Sequence, residues 1–146
     1  MKNKLVIGSD HGGFEYKEMI KEHLGQHGYE VVDVGCYDKS SVDYPDIAKK
    51  VADVVNNEKI DGIVICGTGI GISVAANKCH GIRATLCTNE YMAKMARHHN
   101  DSNVLALGQR VLGSDLALSI VDTWLVEKFE GGRHENRVNK IMKLEE

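Results

Sequence analysis

Gly62-Ile63-Val64-Ile65-Cys66-Gly67-Thr68-Gly69-Ile70-Gly71 sets the architecture, because an unbroken apolar run passes directly into three alternating glycines. A short apolar run bounded by glycine reads as a strand buried on both faces, which is the condition of a strand in a parallel sheet. The residues after the glycines take helical spacing, so the stretch is a strand, a turn and the start of a helix. On either side of it, residues 4–8, 30–34, 83–87 and 104–107 read as strands like 62–66. Between and after them, residues 14–27, 46–56, 71–78, 90–98 and 114–129 carry helical spacing, with Ser114 as an expected N-cap. Alternation of this kind predicts a Rossmann-like, doubly wound α/β fold: a five-stranded parallel sheet in three α/β/α layers. After Gly131-Gly132, an extra C-terminal helix over Arg133–Lys143 has too few apolar positions to be a core element by itself. It is expected to pack on the domain or on a second subunit.

Composition sets the outer limits. At 146 residues the chain has the length of a single domain, 1–146, and its 42% hydrophobic and 27% charged residues are ordinary for a globular protein. The net charge of −3, with no basic block interleaved with aromatics, argues against nucleic acid or a membrane surface as partner. The N-terminal residues lack the apolar core of a signal peptide, and no run approaches the length of a membrane span. Cys36, Cys66, Cys79 and Cys87 show no CxxC spacing, which fits reduced thiols in a cytoplasm better than a disulfide framework.

Among the cysteines, Cys66 stands apart. Glycines at 67, 69 and 71 let backbone N–H groups point into a cavity, and together with a helix N-terminus they favour negative charge, including that of a thiolate. Cys66 can therefore serve as a base or nucleophile, whereas Cys36, Cys79 and Cys87 lack such a loop and read as packing residues. Asp10 and His11, after the first strand in Gly8-Ser9-Asp10-His11-Gly12-Gly13, are expected to face that loop across the switch point of the sheet. His11 offers a cation or a proton near neutral pH, and Asp10 an acceptor, although Asp is also a common cap at such a place. His98, His99 and Asn100 end the helix before the fifth strand, Tyr44 lies in the expected loop Asp43-Tyr44-Pro45, and Arg110 follows the fifth strand. Arg133 and Arg137, at i and i+4, share a helix face and can grip one phosphate, although solvated arginines are commoner.

Rival motifs fail on inspection. Gly67, Gly69 and Gly71 spell GxGxG after the third strand, not the GxGxxG of dinucleotide binding after the first, and no GxxxxGK[ST] occurs. A cysteine-dependent phosphatase needs an arginine closing the loop after Cys66, and none is there. A receiver domain needs an Asp in the place of Cys66. His23 and His27 have metal-ligand spacing on a helix but no evident third ligand, so no metal is expected there.

The ordered set Gly8-Ser9-Asp10-His11-Gly12-Gly13, Asp43-Tyr44-Pro45, Cys66-Gly67-Thr68-Gly69-Ile70-Gly71, His99-Asn100, Arg133 and Arg137 resembles the ribose-5-phosphate isomerase type B family end to end. That superfamily also holds allose-6-phosphate isomerase and the subunits of galactose-6-phosphate isomerase. The resemblance implies an aldose–ketose isomerase interconverting ribose 5-phosphate and ribulose 5-phosphate, with Cys66 as base and no metal or organic cofactor. It further implies amides from Gly67 through Gly71 around an oxyanion, Thr68 assisting proton movement between two oxygens, and His99 with Asp10 opening the sugar ring. Asn100 and Tyr44 would position hydroxyls, and His11, Arg133 and Arg137 would bind the phosphate with help from Arg110. The family's pocket lies between two subunits, so a homodimer with shared sites is expected, with His99, Asn100 and Arg110 lent by the partner; pairing of dimers into tetramers is left open. Ile72 stands where another branch of the family carries a glutamate base, which assigns this chain to the cysteine branch. Two alternatives are an isomerase of six-carbon sugar phosphates and a non-catalytic sugar-phosphate-binding protein.

Overall fold

A computed structural model describes residues 3–146. Strands β1 (Lys4–Ser9), β2 (Glu30–Asp33), β3 (Asp61–Cys66), β4 (Ala84–Leu86) and β5 (Val104–Gly108) form one sheet in the order β2-β1-β3-β5-β4. Every pairing is parallel. Helices α1 (Phe14–Gln26), α2 (Tyr44–Glu58), α3 (Ile70–Asn77), α4 (Glu90–Asn100) and α5 (Ser114–Val126) alternate with the strands, and α6 (Arg133–Lys143) closes the chain. The expected three-layer fold is thus present, with element ends differing by a few residues.

The two-residue period of a strand sorts the core into two halves. Leu5, Ile7, Ile63, Ile65, Leu105 and Leu107 meet α1, α4 and α5 through Ile20, Leu24, Ala93, Ile120 and Trp124. Val6, Val64, Cys66, Val104 and Ala106 meet α2 and α3 through Ile47, Val51, Val55, Ile72 and Ala76. Each such aliphatic side chain taken fully from water stabilises the fold by roughly 1.5–3 kcal/mol. Cys66 therefore belongs to the α2/α3 face, and Ser9 and Cys66, the last residues of β1 and β3, end side by side at the carboxyl edge. The chain leaves β1 toward β2 at one edge and returns to β3, so the order reverses between β1 and β3 and opens a crevice there.

Three expectations about local structure are corrected. Tyr44 is the first residue of α2, not part of a loop, because Pro45 pre-sets the backbone of the first turn. Ser114 is the first helical residue of α5; Gly113 occupies the cap position and no side chain caps that end. The same helix stops at Val126, short of residue 129, because Glu127 turns to extended backbone (φ −80°, ψ 148°).

Lys17 is fully buried, and its ammonium is held by Asp33 and Glu18, 5.3 Å from the centre of the Phe14 ring and 5.7 Å from that of Tyr37. Burial pushes the Asp33 carboxyl up, but hydrogen bonds from Lys17, Lys21 and the Gly35 N–H outweigh it and hold the group below the usual carboxylate range. This cluster pins the loop after β2 beside the carboxyl edge of β1. There Ser9 N–H donates to Gly35 O at 2.7 Å and Cys36 N–H to Ser9 O at 2.6 Å.

Candidate active site

Two turns meet at the crevice. After β1, the Asp10 carboxylate Oδ1 accepts the Gly12 N–H at 2.9 Å, capping the single 3-10 turn His11–Gly13 that leads into α1. The capping use of Asp10 is therefore real. Asp10 N–H donates to Ile65 O at 3.2 Å, tying the turn to β3. Glycine is required at 13, where a Cβ would stand 2.6 Å from Ile65 O; at 12 a Cβ would stand 3.2 Å from Gly67 N, so the two turns touch. His11 Nδ1 accepts the Val42 N–H at 3.3 Å. That bond assigns the ring proton to Nε2, leaving an N–H for a ligand.

After β3, Cys66 is buried at 5% exposure, and its Sγ accepts the Gly69 N–H at 3.1 Å. Gly69 has φ +80°, which L residues rarely adopt, and a Cβ there would meet Leu107 C at 2.8 Å, so glycine alone permits the turn. The exposed Thr68 accepts the Ile70 N–H on Oγ1 at 3.2 Å, leaving its O–H to donate outward. Gly71 and Ile72 lie in the first turn of α3, where amides have no carbonyl of their own helix to reach. Tyr44 stacks its ring edge over Gly71, where a Cβ would lie 2.7 Å from Tyr44 Cζ. Arg110 N–H donates to Gly67 O at 2.9 Å, and its Nη1 would be 3.1 Å from a Cβ on Gly67. Asp10, His11, Tyr44, Cys66, Gly67, Thr68, Gly69, Gly71 and Arg110 thus lie together.

The remaining candidates lie elsewhere. Helix α4 runs from the end of β4 back to the start of β5, so His98, His99 and Asn100 sit at the amino edge of the sheet. Cys66 is level with Gly108 at the other end of β5, a strand length of about 13 Å away at 3.3 Å per residue. Helix α6 packs on α4 through His134 and Val138, with the His134 and His99 rings stacked at 4.2 Å. Arg133 and Arg137 therefore accompany His99 and Asn100, exposed at that edge.

Two expectations change accordingly. Arg110 belongs with its own chain's Cys66 loop instead of being lent by a partner, because β5 delivers it to the carboxyl edge. Arg133 and Arg137 do not join His11 within one chain, because α6 lies across the opposite edge. The sequence reading also missed Val42, whose backbone amide fixes the His11 ring, and the cluster of Glu127, Glu130 and His134 around His98 and His99. A backbone donor carries no residue-type signal. His134 had one, four residues before the buried Val138 on the same helix face.

Burial pushes the Cys87 thiol up to about 11 and raises that of Cys79, consistent with packing roles for both. A cavity of about 440 Å³ lies between β4 and α6, lined by Arg83, Thr85, Asn100, Ile141 and Leu144 among others. It holds no nucleophile or paired acid and base, whereas the Cys66 loop lies on an open face with Thr68 and Ile70 exposed.

Fold and site define a class: a doubly wound α/β protein with a cysteine at the end of β3, on a glycine loop at the switch point where such sheets gather small ligands. The chain belongs to the Ribose/Galactose Isomerase family, whose profile it matches over residues 5–141. It is 50% identical over 144 residues to ribose-5-phosphate isomerase B of Escherichia coli K12, covering 98% of this chain and 97% of that one. The solved ribose-5-phosphate isomerase B of Clostridium thermocellum superposes with a TM-score of 0.96 at 59% identity, covering 97% of each chain. That of Mycoplasma genitalium, solved with bound ribulose-5-phosphate, superposes at 0.93 with 43% identity, covering 97% of this chain and 95% of that one. Among the described residues no helix is long and apolar enough to cross a membrane.

Proposed function

We propose that this protein is an aldose–ketose isomerase interconverting ribose 5-phosphate and ribulose 5-phosphate, with Cys66 as the base. The observation that carries the reading is Cys66 Sγ at the end of β3, accepting the Gly69 N–H at 3.1 Å within touch of the Asp10–His11 turn. Family membership and the activity named for the E. coli relative support the substrate.

Each step of the chemistry has a group to perform it. His99 and Asp10 open the furanose by moving a proton between the ring oxygen and the anomeric hydroxyl. The Cys66 thiolate takes the C2 proton of the open aldose; the C–H electron pair becomes the C1–C2 double bond and the carbonyl pair moves onto O1. Amides of the loop from Gly67 through Gly71 stabilise that oxyanion as preorganised donors. Thr68 assists transfer of the hydroxyl proton from O2 to O1, and Cys66 returns its proton to C1, giving the ketose with no redox partner. Tyr44 and Asn100 position hydroxyls, while His11, Arg110, Arg133 and Arg137 bind the phosphate.

His99, Asn100, Arg133 and Arg137 sit at the far edge from Cys66, so this division of labour needs a second copy of the chain. A homodimer is the simplest closed arrangement, each subunit lending its amino edge to the partner's Cys66 loop. Free cysteines and the small sugar-phosphate substrate fit a cytoplasmic enzyme of the pentose phosphate pathway.

The test is proton NMR of ribose 5-phosphate in D2O with the protein and with Cys66→Ala. Ribulose 5-phosphate and deuterium incorporation are expected with the cysteine intact and absent without it. Turnover of allose 6-phosphate or galactose 6-phosphate instead would overturn the five-carbon substrate, saturable binding without proton exchange would overturn catalysis, and an active Cys66→Ala would overturn the base.

A further inference from the structure

Helix α1 begins without a side chain of its own to cap it, because Gly13 stands at the cap position. Amides of a first turn have no carbonyl of their own helix to reach, so their acceptors come from outside it. Gln109 supplies one from 93 residues away, its Oε1 accepting the Tyr16 N–H at 2.9 Å. In a glutamine amide the oxygen alone accepts, so this bond also fixes which way the Gln109 side chain is turned. The Tyr16 hydroxyl adds a second tie, donating to Leu112 O at 2.6 Å. The first turn of α1 is thus fastened to the segment after β5.

That segment is fastened in turn to the Cys66 loop. Gln109 N–H donates to Cys66 O at 3.0 Å and Arg110 N–H to Gly67 O at 2.9 Å. Gly108 packs so closely on the Thr68 carbonyl that a Cβ would strike it. Gln109 therefore holds both turns of the crevice, the Cys66 loop by its backbone and, by its side chain, the helix that starts directly after His11-Gly12-Gly13. Between β1 and β3 the Asp10 N–H bond to Ile65 O, 3.2 Å long, is made one residue short of His11 and of Cys66. Beyond that point the Gln109 brace carries the coupling.

We propose that Gln109 is a positioning residue of the isomerase reaction: through Tyr16 it sets the Asp10–His11 turn against the Cys66 loop, so that a sugar held by its phosphate presents C2 to the base. This role rests on the reading of Cys66 as base and His11 as phosphate ligand. Gln109 acts on distance and touches no substrate. A misplacement of about 1 Å at the reacting atoms lowers a rate on the order of a hundredfold, and freeing one end of α1 allows part of that.

Gln109→Leu keeps the bulk of the side chain and removes the acceptor, whereas Gln109→Glu keeps an acceptor and places its charge at a helix N-terminus, where it is favoured. With ribose 5-phosphate, Gln109→Leu should lower kcat about tenfold with KM within about twofold of the wild type, and Gln109→Glu should restore kcat to within about twofold. Tyr16→Phe, which breaks the tie to Leu112 and keeps the amide bond, should lower kcat about two- to threefold, and it serves as the test should Gln109→Leu fail to fold. A lower Tm in Gln109→Leu with kcat at the wild-type level, or unchanged kcat in Tyr16→Phe, would make the brace merely structural and overturn the proposal. A readout without turnover is the NMR spectrum of 15N-labelled protein. The Tyr16 amide should exchange about tenfold faster in Gln109→Leu than in the wild type. His11 ring-proton shifts should move in Gln109→Leu and return in Gln109→Glu; shifts that stay in place would overturn the coupling whatever the activity. A wild type that turns over no ribose 5-phosphate would instead overturn the isomerase reading, and the His11 shifts would still decide whether Gln109 places the turn.

Discussion

Replacing Gly71 by Ala should damage the site through Tyr44 while leaving the fold intact. A Cβ at 71 would lie 2.7 Å from Tyr44 Cζ, 2.8 Å from Cε1 and 3.0 Å from the hydroxyl, so the ring must move. It can do so, because Tyr44 is 39% exposed and its ring can swing toward solvent. Alanine in a helix is favoured over glycine by roughly 0.5–1 kcal/mol, which offsets much of the lost ring contact. The net stability change is expected within about 1 kcal/mol, a shift in Tm of no more than about 2–4 °C for a chain of this length. Catalysis should suffer more: with Tyr44 holding a substrate hydroxyl as proposed, displacing its ring removes a hydrogen bond of roughly 0.5–1.5 kcal/mol, lowering kcat/KM about two- to tenfold. The assay is a double-mutant cycle with Gly71→Ala, Tyr44→Phe and the pair, following kcat/KM for ribose 5-phosphate. Since both changes act on one hydroxyl, the pair should lose no more than the worse single variant. Losses that multiply, or Gly71→Ala with full activity, would refute the placement of Tyr44.

Mixing Cys66→Ala chains with His99→Ala chains after mild dissociation should restore activity to about a quarter of the wild-type level, because half of the dimers are mixed and each holds one intact site; no recovery on mixing would sink the shared site. Asp33→Asn leaves the buried Lys17 short of a counter-charge and should cost roughly 3–5 kcal/mol in chemical denaturation, a loss far above the surface range. Because the Asp33 carboxyl is lowered in the native state, its contribution is present above the ordinary carboxylate pKa of about 3.9 and is lost as pH falls through the depressed native value. The acid limb of a stability-against-pH curve should therefore flatten in Asp33→Asn. Cys87, with its thiol pushed up to about 11 and 1% exposed, should resist iodoacetamide at pH 8 in the native protein and react only on unfolding, as peptide mass mapping would show.

Much of the fold was legible in the sequence because both of its signals are local. Apolar runs such as Ile63-Val64-Ile65 carry the strand period within a few residues, and a glycine turn such as Gly67-Thr68-Gly69 must use glycine where a Cβ would strike Leu107. Ends of elements were less legible, since Tyr44 and Glu127 take their conformations from Pro45 and from the turn toward His98. The turn after Cys66 was legible for the same local reason, as Cys66 and its donor Gly69 are three residues apart.

Residue order alone was enough for the class of fold and for singling out Cys66 and its glycine loop as a candidate site. Which of the candidate residues share a place emerged only once the chain was folded. Strand β5 carries Arg110 to the Cys66 edge, while α4 and α6 hold His99, Asn100, Arg133 and Arg137 a strand length away. Residue type and spacing encode what a side chain can do and how its own segment folds. The direction in which a helix returns across the sheet is fixed by packing against β5 and α5, contacts made by residues far apart in the chain.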